Sequence, residues 1–157
     1  MTLAIAHRDT RTGRGVLDLV LERRAPFSPE AVVDDFVATL RHYGVSTVVG
    51  DKYAGEWPRE RFAKCGITYR TSDAPKSDLY RDFAPLANAG RCELLDQPVL
   101  QRQLLALERK VSRAGKDSID HPPRGRDDVS NSVAGALVLA TTAHGAPVAI
   151  DHVAWLL

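Results

Sequence analysis

The sequence is poor in several features that would specialise it. Two cysteines in 157 residues, Cys65 and Cys92, with no Cys-x-x-Cys spacing, exclude a disulfide framework and read as reduced, half-buried thiols. No apolar run approaches the roughly 20 residues of a membrane span. The N-terminus also lacks the cation, apolar stretch and small-residue cleavage site of a signal peptide, so a cytoplasmic protein is expected. Excess charge is missing as well: 21 Lys and Arg oppose 20 Asp and Glu, and nucleic-acid binding would have to come from local distribution. There is no internal repeat, no low-complexity segment and no Gly-x-x-x-x-Gly-Lys-Ser/Thr phosphate loop.

What is present is a globular pattern, 44% hydrophobic and 26% charged, long enough for one domain with a real core. A core over residues 1–141 and a C-terminal tail over 142–157 are expected. Thr2 to Arg8 and Gly15 to Glu22 read as an antiparallel hairpin around Arg11-Thr12-Gly13-Arg14. Ser28 can cap, and Pro29 can open, a helix carrying Val32, Val33, Phe36, Val37 and Leu40, which Gly44 ends. Val45 to Gly50 reads as a strand buried on both faces. A short helix at 56–62, a strand at 66–70, a helix capped by Ser77, a brief strand at Cys92 to Leu95 and a helix from Val99 to Val111 follow. The last helix begins after Asp127, with Val129, Val133, Ala136, Leu137 and Ala140 on its buried face. Val148 to Leu156 could form a strand or a last helical turn. The order gives α/β: a mixed β-sheet flanked by helices.

Three features carry chemistry. Asp51 follows a buried strand directly, and ligands of open α/β sheets bind outside the carboxyl ends of strands. Asp127 and Asp128 open the last helix. Acids there interact favourably with free amides and the macrodipole, for about 0.3–1 kcal/mol, so capping alone could explain one of them. A second acid, with Asn131 one turn on, forms the hard oxygen set that Mg²⁺ or Mn²⁺ accepts. Ahead of them come Arg109, Lys110, Arg113, Lys116, Arg124 and Arg126, which with Lys52 read as a rim guiding a polyanion to an acidic site. Acids paired with cations suggest metal-assisted cleavage of a phosphodiester. His121, followed by two prolines, reads as a hydrogen-bonded turn residue.

At these residues the sequence resembles the nuclease domain of phage large terminase subunits, the DNA-packaging motors. The resembling stretches are Leu3-Ala4-Ile5-Ala6-His7, Pro26 to Glu30, Gly50 to Pro58, Lys76-Ser77-Asp78-Leu79-Tyr80, Gln103 to Arg109, and Asp117 to Pro123 through Asp127-Asp128. They run in family order over about residues 2 to 140. The resemblance implies an RNase H-like fold and a two-metal, Mg- or Mn-dependent endonuclease that cuts concatemeric viral DNA. Double-stranded DNA, the ATPase domain, the small subunit and the portal are its implied partners, in host cytoplasm, with a viral or prophage origin. It implies Asp51, Asp127 and Asp128 as catalytic acids, with Asp51, Asp128, Asp127 and Asn131 as metal ligands. Asp128 is preferred over Asp127 because Asn131 then falls one turn further along.

Two departures follow. The family's first acid lies on a strand just before the one matching Thr2 to His7, and that strand and its aspartate are missing here. Arg126 stands where relatives often carry histidine. Weak metal binding and little cleavage are therefore expected. The alternative is a catalytically inactive terminase remnant that binds DNA or docks on a portal. It would dimerise by strand addition at the unpaired sheet edge that the missing strand would leave. A Holliday-junction resolvase would share the acids but not the stretches around Trp57 and Pro122.

Overall fold

A computed structural model describes residues 1–50, 56–111, 117–142 and 152–157. The chain opens with β1 (Thr2–Arg8) and β2 (Gly15–Glu22), an antiparallel hairpin with both strands bounded as expected. Its turn is tied by Asp9, whose carboxylate accepts from the Arg11 amide and the Thr12 hydroxyl, and Gly13 takes a left-handed φ of 72°. Helix α1 (Pro29–His42) has Ser28 as its N-cap, the Ser28 hydroxyl accepting from the Ala31 amide, and buries Val32, Val33, Phe36, Val37 and Leu40. The strand β3 (Thr47–Gly50), the helix α2 (Glu56–Lys64) and the strand β4 (Thr68–Thr71) follow, β3 pairing parallel with β4. Then come α3 (Lys76–Asn88), β5 (Cys92–Glu93), α4 (Pro98–Leu105), β6 (Glu108–Val111), β7 (Asp117–Asp120), α5 (Asp128–Thr142) and β8 (Val153–Leu156).

Six strands form one mixed sheet in the order β4-β3-β8-β1-β2-β5. Its two faces bury separate cores. Leu3, Ile5, Val48 and Leu156 pack toward α1, with Phe36, Leu40 and Phe62; Ala4, Ala6, Leu17 and Trp155 pack toward α5, with Tyr80, Leu100 and Leu137. Alternation along each strand places these residues on opposite faces.

Several expectations need correction. The helix from Val99 does not reach Val111: α4 stops at Leu105, which is 88% exposed, and Glu108 to Val111 pair with Asp117 to Asp120 as a separate antiparallel ribbon. Here a cross-strand partner outweighs helical propensity. Ser77 does not cap α3, whose N-cap is Pro75; its hydroxyl accepts from the Ile119 amide at 2.9 Å and so ties β7 to α3. Helix α5 is buried nearly all round, including Ser130, Asn131 and Ser132, because the sheet covers one side and α3 and α4 the other. The end of the chain resolves as a strand. β8 runs antiparallel to β1 and parallel to β3, so the edge of β1 expected to be unpaired is taken by the chain's own C-terminal strand. Trp155 of β8 lies against Gly135 of α5, where any Cβ would run into the indole.

Candidate active site

The acid end of the molecule is built where α5 starts beside the hairpin. The turn leading in is tight: the Gly125 amide donates to the Pro122 carbonyl at 2.8 Å, and Arg124 is held at a left-handed φ of 67°, a conformation that costs a non-glycine residue roughly 1–2 kcal/mol. This delivers Asp127 to a buried position, 5% exposed, and leaves Asp128 half-buried.

Neither acid takes the Ser130 amide. The Ser130 amide in the first turn donates to Gln103 Oε1 of α4 at 2.9 Å, so a neighbouring helix supplies that cap. The Asp127 carboxylate instead accepts from the Tyr80 hydroxyl at 3.0 Å and meets Lys76 Nζ at 3.2 Å. Lys76 also donates to Asp120 Oδ1 at 2.6 Å, bridging two carboxylates. Burial alone would push the Lys76 ammonium down, but its bonds to Asp120 and its attraction to Asp127 outweigh this and hold it above its ordinary value. The hydrogen bond from Lys76 holds Asp120 below the usual carboxylate range. Burial pushes the Tyr80 phenol far up, so it remains a donor to Asp127 at any working pH.

Among the described residues the Asp128 carboxylate makes no hydrogen bond or ion pair. With Asp127 it lines a groove shared with Thr2, Arg23, Arg24 and Arg126. A contiguous groove adds Arg102 and Gln103. One turn along α5, Asn131 Oδ1 is buried without a hydrogen-bond partner among the described residues, as are Thr2 Oγ1 and Ser132 Oγ. Such buried orphan oxygens are uncommon in folded proteins. Asp127, Asp128 and the Asn131 amide offer oxygens of the kind hard divalent cations take, and Asp120, His121 and Asp127 bring one possible ligand atom each to within 4.8 Å of one another.

Asp51, Lys52, Arg113 and Lys116 lie outside the described residues. β3 ends at Gly50, which pairs with Leu156, and Leu156 pairs with Leu3. Two strand spacings, about 10 Å, thus separate the end of β3 from the start of β1 beside the groove. Of the expected cations that are described, Arg126 lines the groove. Arg109 and Lys110 sit on β6, with Lys110 3.3 Å from Glu108, and Arg124 is exposed on the turn. His121 Nδ1 lies 2.8 Å from the Pro122 carbonyl, a turn contact, while Nε2 is 3.8 Å from both Asp120 and Asp127.

Sequence reasoning assigned no site role to Lys76, Tyr80, Asp120, Arg23, Arg24 or Arg102. Lys76 stands only in a resembling stretch, and Tyr80 in that stretch and among the apolar positions of the helix after Ser77. The arginines follow the hairpin or lie on α4, far in sequence from the acids they face.

No family model matches the chain, and no curated protein matches it. Solved structures do. The large terminase nuclease from thermophilic phage G20c superposes with a TM-score of 0.68 at 22% identity, over 88% of this chain and 74% of that one. The chain has the fold of a large terminase nuclease. A magnesium-bound structure of the same phage nuclease gives a TM-score of 0.65 at 22% identity, over 89% and 74%. The Thermus phage P74-26 large terminase nuclease domain gives 0.65 at 22%, over 87% and 71%. The six-stranded mixed sheet with five helices among the described residues is thus the RNase H-like arrangement of these terminase nucleases, as the sequence led one to expect.

Proposed function

We propose that this chain is a divalent-cation-dependent DNA endonuclease domain of a phage packaging terminase. The carrying observation is that Asp128 makes no hydrogen bond or ion pair among the described residues and lines a groove with Arg23, Arg24 and Arg126 beside Asp127, while Gln103 takes the Ser130 amide of the helix start. Asp128, Asp127 and Asn131 would hold Mg²⁺ or Mn²⁺, with Asp51 as the acid following β3, and a two-metal arrangement is the reading the resemblance favours. Bound there, the cation supplies Lewis-acid stabilisation of charge on phosphate oxygens. Arg23, Arg24, Arg102 and Arg126 attract and orient the phosphodiester backbone, with Lys52, Arg109, Lys110, Arg113, Lys116 and Arg124 extending the basic surface. Tyr80 and Lys76 position the Asp127 carboxylate. Double-stranded DNA is the substrate; an ATPase domain, a small subunit and a portal are the partners, and infected-cell cytoplasm is the setting.

The test is nicking of supercoiled plasmid in Mn²⁺, with cation binding followed by calorimetry. Slow nicking that vanishes in Asp128→Asn supports the proposal, and failure to bind Mn²⁺ at all would sink it. One observation favours the alternative, an inactive module that binds DNA or docks on a portal: the Lys76 ammonium sits 3.2 Å from Asp127 as an internal counter-cation. On that reading DNA binds without nicking, and Lys76→Met does not restore cleavage.

A further inference from the structure

At the other end of β1 a second cluster forms, and nothing in the nuclease reading uses it. His7 on β1, Asp18 on β2 and His152 just before β8 bring one ligand atom each to within 4.8 Å of one another. His7 Nδ1 lies 2.9 and 2.8 Å from the two Asp18 oxygens, and His152 Nε2 lies 3.8 Å from Asp18 Oδ2. The imidazole centroids are 5.5 Å apart.

The convergence is built by backbone register. Pairing of β1 with β2 passes from Ile5↔Leu19 to Ala6↔Leu17, so Asp18 is the extra residue of a β-bulge. Leu17 and Val20 pack toward α5 and Leu19 and Leu21 toward α1. The bulge therefore breaks the alternation and turns Asp18 to the α1 face, where His7 continues the Leu3 and Ile5 row. On β8, Ala154 and Leu156 face α1, and His152 shares their parity. Val153 pairs with Ala6, which brings His152 alongside His7.

A single imidazole would satisfy Asp18 as a simple ion pair; here two converge on it. From this geometry we infer a zinc-class site formed by His7, Asp18 and His152. Two imidazoles and one carboxylate are borderline nitrogen and oxygen donors that suit Zn²⁺ or Co²⁺, whereas Mg²⁺ prefers oxygen alone. Metal bonds of about 2.1 Å in a tetrahedron set ligand atoms about 3.4 Å apart, so the Asp18 to His152 spacing nearly fits and the His7 to Asp18 contact opens by roughly half an ångström. The side chains are 18%, 18% and 21% exposed, which leaves an outer side for a fourth ligand such as water. Since the ligands come from β1, β2 and the start of β8, the ion staples the C-terminal strand onto the hairpin. Tyr43, at the end of α1, packs its ring edge against His152 at 5.2 Å and steadies that imidazole.

The test is calorimetric titration of tag-free protein with Zn²⁺ in excess Mg²⁺, with Co²⁺ absorption as a report of geometry. One equivalent of Zn²⁺ should bind and raise the melting temperature, and Co²⁺ should show the intense visible bands of tetrahedral coordination. His7→Gln and His152→Gln should each weaken Zn²⁺ binding by about 100-fold, while Asp128→Asn leaves it unchanged. Should the variants misfold, the imidazole ¹⁵N resonances of the unaltered protein decide: Zn²⁺ must shift those of His7 and His152 and spare His42. No Zn²⁺ binding in Mg²⁺, undiminished binding in both histidine variants, or unmoved His7 and His152 resonances would each overturn the inference.

Discussion

Thr2 and His7 stand five residues apart on β1, about 17 Å along the strand, and lie in clusters of opposite chemistry. At the Thr2 end oxygens gather at the start of one helix, and the protein supplies its own cation, Lys76, to the more buried acid. At the His7 end two imidazoles share one carboxylate, and the ligands come from three strands or their margins. The two acids are adjacent in sequence, whereas the ligands of the second cluster are not. Both depend on β8, which pairs with β1 from Leu3 to Ala6 and spans the distance between them.

The largest effect is expected at Asp128. Asp128→Asn should weaken Mn²⁺ binding by on the order of 100-fold in a calorimetric titration and abolish Mn²⁺-dependent plasmid nicking. His152→Gln should leave both unchanged, and a matching loss there would merge the two ends into one site.

Gly135→Ala tests the strand they share. The new methyl collides with the Trp155 indole, so β8 or α5 must shift at a cost of about 2 kcal/mol in urea unfolding. Weaker cation binding at both ends in that variant would show that β8 couples them.

Tyr80→Phe removes one donor from the buried Asp127 and should cost about 1.5 kcal/mol, read from the same unfolding curves. It sharpens the contrast, because the histidine cluster is untouched and Zn²⁺ binding must not change.

The smallest effect is the Lys76–Asp120 bridge. Asp120 is held below its ordinary range, so its contribution is present above the unfolded value of about 3.9 and is lost as pH falls through the lower folded one. Lys76 is held high, so its contribution is present below about 10.4 and is lost as pH rises through the folded value. Asp120 is half exposed, and screening limits the pair to about 0.5 kcal/mol. Asp120→Asn should reduce stability by that amount at neutral pH, with the difference from the parent closing in acid.

Much of the fold was legible because local rules and tertiary packing agreed. The bounds of the hairpin strands, the Ser28 cap and the five buried positions of α1 follow from alternation, capping chemistry and helical spacing. The β6–β7 ribbon was not legible, since Glu108-Arg109-Lys110-Val111 lacks strand alternation and is fixed by its partner. At the acid end the pair Asp127-Asp128 was visible from its position at a helix start. The division of labour between them was not, because Tyr80, Lys76 and Gln103 act from α3 and α4.

The hairpin with its turn, the capped helix α1 and the pair of acids at the head of α5 were determined by sequence alone, because each is a property of residues close to one another along the chain. Only the tertiary structure decided that the C-terminal strand lies between β1 and β3, that Asp127 rather than Asp128 is the acid held by Tyr80 and Lys76, and that His7, Asp18 and His152 meet. Those outcomes depend on strand pairing and a one-residue bulge, which bring together residues up to 145 positions apart and leave no local periodicity to read.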